Sequence, residues 1–145
     1  QQGKRVTIIT ISSFIADYVS DYPNIEVILL GGNYQAAAQV VVGPLTKTML
    51  AQFQVTQCFV GTDGYAADSG FFGNDLMRSE IVQAMAKHAD QVTILTDSQK
   101  FNRTSLVHQL GFDDVDEVVT DSGISDAVKQ QLEAVNVSVK VAKAK

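Results

Sequence analysis

Glycines and charged side chains that follow short apolar segments are the residues of this 145-residue chain best suited to chemistry. One such group is Gly61-Thr62-Asp63-Gly64, where glycine lets the backbone approach a ligand and lets N–H groups converge on an anion. The same motif also suits a tight turn into a β-hairpin. The sequence therefore predicts either an anion-binding loop or a turn at this point.

Two basic residues have types and positions suited to a phosphate. Arg78 lies in the first turn of a predicted helix, and a guanidinium matches phosphate geometry with paired N–H groups. The alternative is an exposed arginine that pairs with Asp75. Lys100 follows Asp97 and Ser98 after an apolar segment, so its ammonium can hold a phosphate while Asp97 accepts from sugar hydroxyls. These residues predict a phosphorylated ligand.

Four short apolar segments end in small and polar residues, and amphipathic segments separate them. In a parallel sheet the carboxyl ends of the strands meet at one edge, where ligands bind. The candidate ligand-binding residues at these ends are Thr10, Ser12, Gly31, Gly32, Gly61, Asp63, Gly64, Asp97, Ser98 and Lys100, together with Arg78. The predicted fold class is α/β, an open and mostly parallel sheet with helices on both faces.

Strand and helix patterns alternate along the whole chain without a repeat or an interior linker. Apolar runs predict strands at residues 6–10, 26–30, 39–42, 57–60, 92–95, 118–119 and 137–141. Capping residues and apolar stripes predict helices at about 13–22, 44–53, 75–88 and 125–135. We therefore expect residues 1–145 to form a single domain.

Composition excludes several classes of protein. The net charge of −5 and pI near 4.8 argue against nucleic-acid binding by this chain, which needs clustered Lys and Arg. No apolar stretch reaches the ~20 residues of a membrane span.

The single cysteine, Cys58, allows no intrachain disulfide, and we expect a cytoplasmic protein. No HxxxH, CxxC or HxE spacing occurs, so we expect no metal site and no cofactor.

Short motifs follow one another in a characteristic order over nearly the whole chain. They are Gly31-Gly32, Gly43-Pro44, Phe59-Val60-Gly61-Thr62-Asp63-Gly64, Gly70-Phe71, Leu76-Met77-Arg78, Ala84-Met85, Leu95-Thr96-Asp97-Ser98-Gln99-Lys100-Phe101 and Val119-Thr120-Asp121. This order resembles the C-terminal sensor domain of the DeoR family of bacterial repressors. The resemblance implies an effector-binding domain that responds to a phosphorylated sugar. It also implies a fold similar to ribose-5-phosphate isomerase and the glucosamine-6-phosphate deaminases, without their catalysis.

The chain departs from the family pattern at three points. The family has an Asp-x-Gly-Thr-Thr phosphate loop upstream of the first strand, and the chain begins with Gln1 after that point. We therefore expect a fragment without this loop and without the N-terminal DNA-binding domain. The family's Thr-Asn-Ser is Thr10-Ile11-Ser12 here, and Gln99 stands where the family has a serine before the lysine.

Two classes of function remain open at this stage. The preferred one is the effector-binding domain of a repressor of carbohydrate metabolism, which binds a phosphorylated monosaccharide and contacts DNA only through a separate helix-turn-helix domain. The alternative is a sugar-phosphate isomerase or deaminase, for which Asp63 or Glu80 would be the general base. We also expect a homo-oligomer, with Phe71, Phe72 and Phe112 as candidate contact residues.

Overall fold

The structure is a computed structural model that describes residues 4–143. Its internal contacts divide the chain into two compact units, Gln1–Gln52 and Phe53–Lys145. The expectation of a single sensor domain over residues 1–145 stays a prediction. Within the described part of the chain, no helix is long and apolar enough to cross a membrane.

The first unit contains four strands and two helices. They are β1 (Val6–Thr10), α1 (Ser13–Tyr18), β2 (Ile25–Leu29), β3 (Asn33–Gln35), β4 (Val40–Val42) and α2 (Pro44–Leu50). Strands β1 and β2 are parallel, with Thr10 opposite Leu29, and β3 and β4 form an antiparallel hairpin. Helix α1 is shorter than predicted because the Ser20 hydroxyl donates to the Asp17 carbonyl at 2.7 Å, which competes with further helical hydrogen bonding.

The second unit is built on a four-stranded parallel sheet. Its elements are β5 (Val55–Val60), β6 (Gly64–Ala66), β7 (Gly70–Gly73), α3 (Leu76–Lys87), β8 (Ala89–Leu95), β9 (Val107–Leu110), β10 (Glu117–Asp121), α4 (Asp126–Ala134) and β11 (Ser138–Ala142). The parallel sheet has the order β11-β10-β8-β5, and helices α3 and α4 flank it. This arrangement confirms the predicted α/β class.

A second, antiparallel sheet of the order β6-β7-β9 was absent from the sequence prediction. The backbone N–H of Asp63 donates to the Phe72 carbonyl at 2.8 Å, which adds a hydrogen bond at the open end of the hairpin formed by β6 and β7. The glycine motif therefore leads into a β-hairpin, as the turn interpretation predicted, and its last residue, Gly64, is the first residue of β6. These strands are only three or four residues long; β6 and β7 contain glycine, and β9 has the polar residues His108 and Gln109 at its centre, so none of them has the apolar run that predicts a strand.

The core of the second unit includes an aromatic cluster of Tyr65, Phe71, Phe101 and Phe112. Phe71 is fully buried and Phe112 packs edge-to-face against it at 5.8 Å between ring centroids. The expectation that Phe71 forms a contact between subunits is wrong, because the antiparallel sheet buries this side chain completely in the core. Phe112 lies in a short 3₁₀ turn after β9 and is half-buried, so its part in a subunit contact stays a prediction. Phe72 is half-buried beside the ring of His108.

Candidate functional site

The carboxyl ends of three parallel strands meet at one edge of the sheet in the second unit. Gly61 follows β5, and a Cβ atom placed on it would lie 3.9 Å from the carbonyl oxygen of Leu95 at the end of β8. The Thr96 N–H donates to the Val119 carbonyl of β10 at 3.1 Å. The loops that carry Asp63 and Lys100 therefore leave the same edge, which is where α/β sheets bind ligands.

A cavity of about 230 Å³ opens beside the end of β5. Three of the residues singled out in the sequence, Gly61, Asp63 and Arg78, contribute to its lining. The other lining residues are Thr62, Asn74, Asp75, Ser79, Val82 and Gln109. Carboxylate, amide, hydroxyl and guanidinium groups thus line this cavity.

Arg78 is fixed at the start of α3 by the cap of that helix. Asp75 accepts from the backbone N–H of Arg78 at 2.9 Å, which satisfies one of the free donors of the first turn. The Arg78 Nη2 atom donates to Oδ1 of Asn74 at 3.2 Å and lies 4.0 Å from Oδ2 of Asp75. The Nε atom is buried, and within residues 4–143 it has no hydrogen-bond partner. The guanidinium therefore has one buried donor that no residue in this part of the chain satisfies.

The Gly61–Gly64 segment is held mainly by contacts within the protein. The Asp63 N–H donates to the Phe72 carbonyl in the β-hairpin, and the Asp63 carbonyl accepts from Nε of Arg103 at 3.1 Å. Oδ2 of Asp63 accepts from the backbone N–H of Asn74 at 3.1 Å, which ties the loop to the residue before the α3 cap. The Asp63 N–H is consequently not available to an anion, whereas the Asp63 residue contributes to the lining of the cavity.

The loop after β8 carries three of the predicted site residues. Oδ1 of Asp97 accepts from the Gln99 N–H at 3.0 Å and caps a short 3₁₀ turn, Ser98–Asn102. Lys100 is half-buried in this turn and, in the described part of the chain, forms no ion pair. Asp97, Ser98 and Lys100 lie outside the lining of the 230 Å³ cavity, as does Gly64.

A carboxylate that the sequence analysis did not select organises this loop. The Ser98 N–H donates to Oδ2 of Asp121 at 2.9 Å, and the Gly123 N–H donates to Oδ1 at 2.8 Å. Hydrogen bonds from Ser98 hold the pKa of the Asp121 carboxyl below its ordinary value, and the bond from the Ser98 hydroxyl has a larger effect than the bond from its N–H. Asp121 therefore stays ionised and keeps the loop closed onto β10.

The other four predicted residues lie in the first unit, at the carboxyl end of the β1–β2 pair. Oγ1 of Thr10 accepts from the Ser12 N–H at 3.0 Å, and Oγ of Ser12 caps α1 by accepting from the Ile15 N–H at 3.1 Å. The Gly31 carbonyl accepts from Oγ1 of Thr46 at 2.6 Å. Gly32 has a φ of 147°, and any Cβ there would overlap Thr46. Each residue has a local structural role, and its part in ligand binding stays a prediction.

Two buried polar residues that line the cavity, Ser79 and Gln109, were not among the site residues predicted from the sequence. Ser79 lies among polar neighbours at the start of α3, and Gln109 lies in a segment that showed no strand pattern. The structure buries both, with exposures of 1% and 6%. A polar residue in a mixed segment gives no signal of burial, so only the packing of β9 against α3 identifies this pair.

Cys58 is a buried, free thiol in β5. Burial raises the pKa of the Cys58 thiol to about 11, so it is neutral at physiological pH. The residues that the structure describes contain no group of three or more His, Cys, Asp or Glu side chains arranged to hold a metal ion.

The chain is similar to a family of regulators. It matches the DeoR C terminal sensor domain over residues 1–122. It is 30% identical over 128 residues to the HTH-type transcriptional regulator IolR of Bacillus subtilis, covering 88% of this chain and 51% of that protein. It is 25% identical over 138 residues to the HTH-type transcriptional regulator GolR of Listeria innocua, covering 95% and 54% respectively.

A further relative carries a sugar in its name. The L-fucose operon activator of Haemophilus influenzae is 21% identical over 127 residues, which cover 88% of this chain and 51% of that protein. The chain thus spans about half the length of the curated relatives it matches. The matching family is one of sensor domains, so the alternative that the chain is a sugar-phosphate isomerase or deaminase is not supported. The chain belongs to the DeoR C-terminal sensor domain family, as its motifs predicted.

Proposed function

We propose that this domain binds a phosphorylated monosaccharide as the effector of a transcriptional regulator of carbohydrate metabolism. Its family is one of sensor domains, and one relative is an operon activator named for L-fucose. In this proposal a separate N-terminal helix-turn-helix contacts the operator, and the cytoplasm is the compartment. The acidic net charge of −5 supports a domain that leaves DNA contact to another part of the protein.

The observation that carries the proposal is the buried Nε donor of Arg78, which has no hydrogen-bond partner among residues 4–143 and belongs to a residue that lines the 230 Å³ cavity. A buried N–H without a partner costs free energy that a ligand oxygen would recover. A phosphate or hydroxyl oxygen in the cavity would accept this hydrogen bond with charge assistance from the guanidinium. The carboxylate of Asp63 lines the same cavity and can accept from a hydroxyl of the sugar.

Lys100 supplies the second positive charge of the proposed site. It belongs to a loop that leaves the same sheet edge as the loop of Asp63, and it is not neutralised by an ion pair within residues 4–143. An ammonium is a compact point charge that suits a phosphate, while Asp97 can accept from sugar hydroxyls. The proposed effector therefore extends along the carboxyl edge, with its phosphate held by Arg78 and Lys100.

The effector acts by changing populations. A ligand shifts a protein between two arrangements only by binding one of them better. We propose that the phosphorylated sugar binds the DNA-releasing arrangement of a homo-oligomeric regulator better than the DNA-binding arrangement. Repeated half-sites in operators suit an oligomer of this kind.

The test is a thermal-shift panel on the full-length protein. Ribose 5-phosphate, glucose 6-phosphate, fructose 6-phosphate and glucosamine 6-phosphate are compared with the unphosphorylated sugars and with inorganic phosphate. An effector at about 100 times its Kd stabilises the fold by about 2.7 kcal/mol, a rise in Tm of about 5–10 °C. The absence of a shift with every sugar phosphate would overturn the proposal.

Variants locate the site. Arg78→Ala and Lys100→Ala each remove a charge-assisted contact, so they should weaken binding by roughly 10- to 100-fold. The matched control is Lys87→Ala, which removes an exposed charge from the last turn of α3, outside the lining of the cavity. Unchanged affinity in both Arg78→Ala and Lys100→Ala would show that the effector binds elsewhere.

A further inference from the structure

A chain of buried hydrogen bonds connects helix α3 to the loop after β5. The Ser79 hydroxyl donates to Oε1 of Gln109 at 3.1 Å, and Nε2 of Gln109 donates to the Gly61 carbonyl at 3.0 Å. Both side chains are almost fully buried, and both contribute to the lining of the 230 Å³ cavity. Buried amides and hydroxyls are costly unless paired, so these bonds hold their groups in fixed positions.

The chain of hydrogen bonds links the two parts that carry the proposed ligand contacts. Ser79 follows Arg78 directly in the first turn of α3, and Gly61 begins the loop that carries Asp63. Gln109 comes from β9, which packs against α3. The amide of Gln109 therefore connects the Gly61 loop to the helix turn of Arg78 through two hydrogen bonds.

Gly73 leaves the space that this amide occupies. A Cβ atom on Gly73 would overlap both Oε1 of Gln109 and Oγ of Ser79. The backbone of Gly73 lies outside the left-handed region, so it is the lack of space and not the backbone conformation that requires glycine there. Gly73 itself lies outside the lining of the cavity.

We propose that Gln109 is a positioning residue of the effector site, which together with Ser79 and the space left by Gly73 holds the Gly61 carbonyl in register with Arg78. This inference rests on the proposed function. Gln109 acts through the Gly61 loop, because its donor is directed to the Gly61 carbonyl and its acceptor receives the Ser79 hydroxyl.

Gly73→Ala tests the proposal from outside the cavity. The added methyl group displaces the end of the flexible Gln109 side chain, so the fold can adjust while the hydrogen bond to Gly61 is lost. We expect the full-length variant to bind the sugar phosphate with the largest shift in the panel about 3- to 10-fold more weakly. The matched control is Gly111→Ala, since a Cβ there would lie 3.6 Å from the nearest atom, Oδ2 of Asp114.

A double-mutant cycle separates positioning from general damage. Gln109→Glu keeps the size of the side chain and an acceptor for Ser79, but it places a carboxylate oxygen against the Gly61 carbonyl. The affinity of this variant for the sugar phosphate should therefore fall as well. Gly73→Ala should cause little further loss in the Gln109→Glu background, because the interaction is already broken. Fully additive losses in affinity would overturn the proposal.

A readout without any sugar phosphate keeps the two proposals distinguishable. Amide hydrogen exchange in residues 61–64 should be faster in Gly73→Ala and Gln109→Glu than in Gly111→Ala, because the loop loses its tie to Gln109. If no sugar phosphate binds the wild type, the proposed function fails and the exchange result alone decides the role of Gln109. Exchange in residues 61–64 that matches the wild type in both variants would overturn that role.

Discussion

The N–H of Ser98 donates to Oδ2 of Asp121 at 2.9 Å, which joins the loop after β8 to the end of β10. The second oxygen of Asp121 accepts from Gly123, where a side chain would overlap the Ser98 hydroxyl. A single carboxylate thus holds two loops at the sheet edge, and one of them carries Lys100. Because hydrogen bonds from Ser98 lower the pKa of Asp121, the strength of this junction depends on pH.

We expect Asp121→Asn to reduce stability in a pH-dependent way. The pKa of Asp121 is lower in the folded state than in the unfolded state, so the ionised carboxylate stabilises the fold above the ordinary aspartate pKa of about 3.9. That contribution is lost as the pH falls through the folded-state pKa. Thermal melts from pH 3 to pH 7 should show a difference in Tm between wild type and variant that is largest near neutral pH and narrows in acid. A difference that stays constant over this range would contradict the assignment.

Gly64→Ala should destabilise the protein, whereas Gly61→Ala should not. A Cβ on Gly64 would lie 2.6 Å from the Thr104 carbonyl carbon and 2.8 Å from the Arg103 carbonyl oxygen, and the backbone cannot move aside cheaply. The expected cost is about 1–3 kcal/mol, typical of overpacking. At Gly61 the nearest atom is 3.9 Å away, so the fold tolerates a methyl group. Urea unfolding of both variants measures this, and equal midpoints would contradict it.

Phe71→Ala should be strongly destabilising, by about 3–5 kcal/mol, because it leaves a cavity in the aromatic cluster. Phe72→Ala is the matched control on the next residue, where the half-buried ring contacts His108 at 5.4 Å between centroids and its loss should cost less. Chemical denaturation gives the free energies of unfolding. A mass change in light scattering with Phe71→Ala, without loss of stability, would instead support the subunit contact that the burial of Phe71 rejects.

Two residues singled out in the sequence, Asp63 and Arg78, line the 230 Å³ cavity, and their part in ligand binding stays a prediction. The sequence could single them out because a carboxylate in a glycine loop after a strand and a guanidinium in the first turn of a helix are local features. Gln109 was missed because its role arises from partners 30 and 48 residues away in the sequence, Ser79 and Gly61. No pattern of neighbouring residues predicts a contact between residues so far apart in the sequence.

The sequence by itself determined the α/β class and the family. The apolar run at Val92, Thr93 and Ile94 predicted a strand buried in a parallel sheet, and all three residues are buried in β8. Motif order predicted the sensor domain family, which the match over residues 1–122 confirms. Such features are local or linear, so they can be recognised without knowing which parts of the chain meet.

The tertiary structure alone decided the antiparallel β6-β7-β9 sheet, the burial of Phe71 and the polar chain through Gln109. Short strands that contain glycine or polar residues have weak local preferences, and they form because their neighbours supply hydrogen bonds and apolar surface. That sheet buries Phe71 and brings β9 against α3, which places Gln109 beside Ser79. The environment of Arg78 was therefore set by long-range packing, although its chemical type was evident from the sequence.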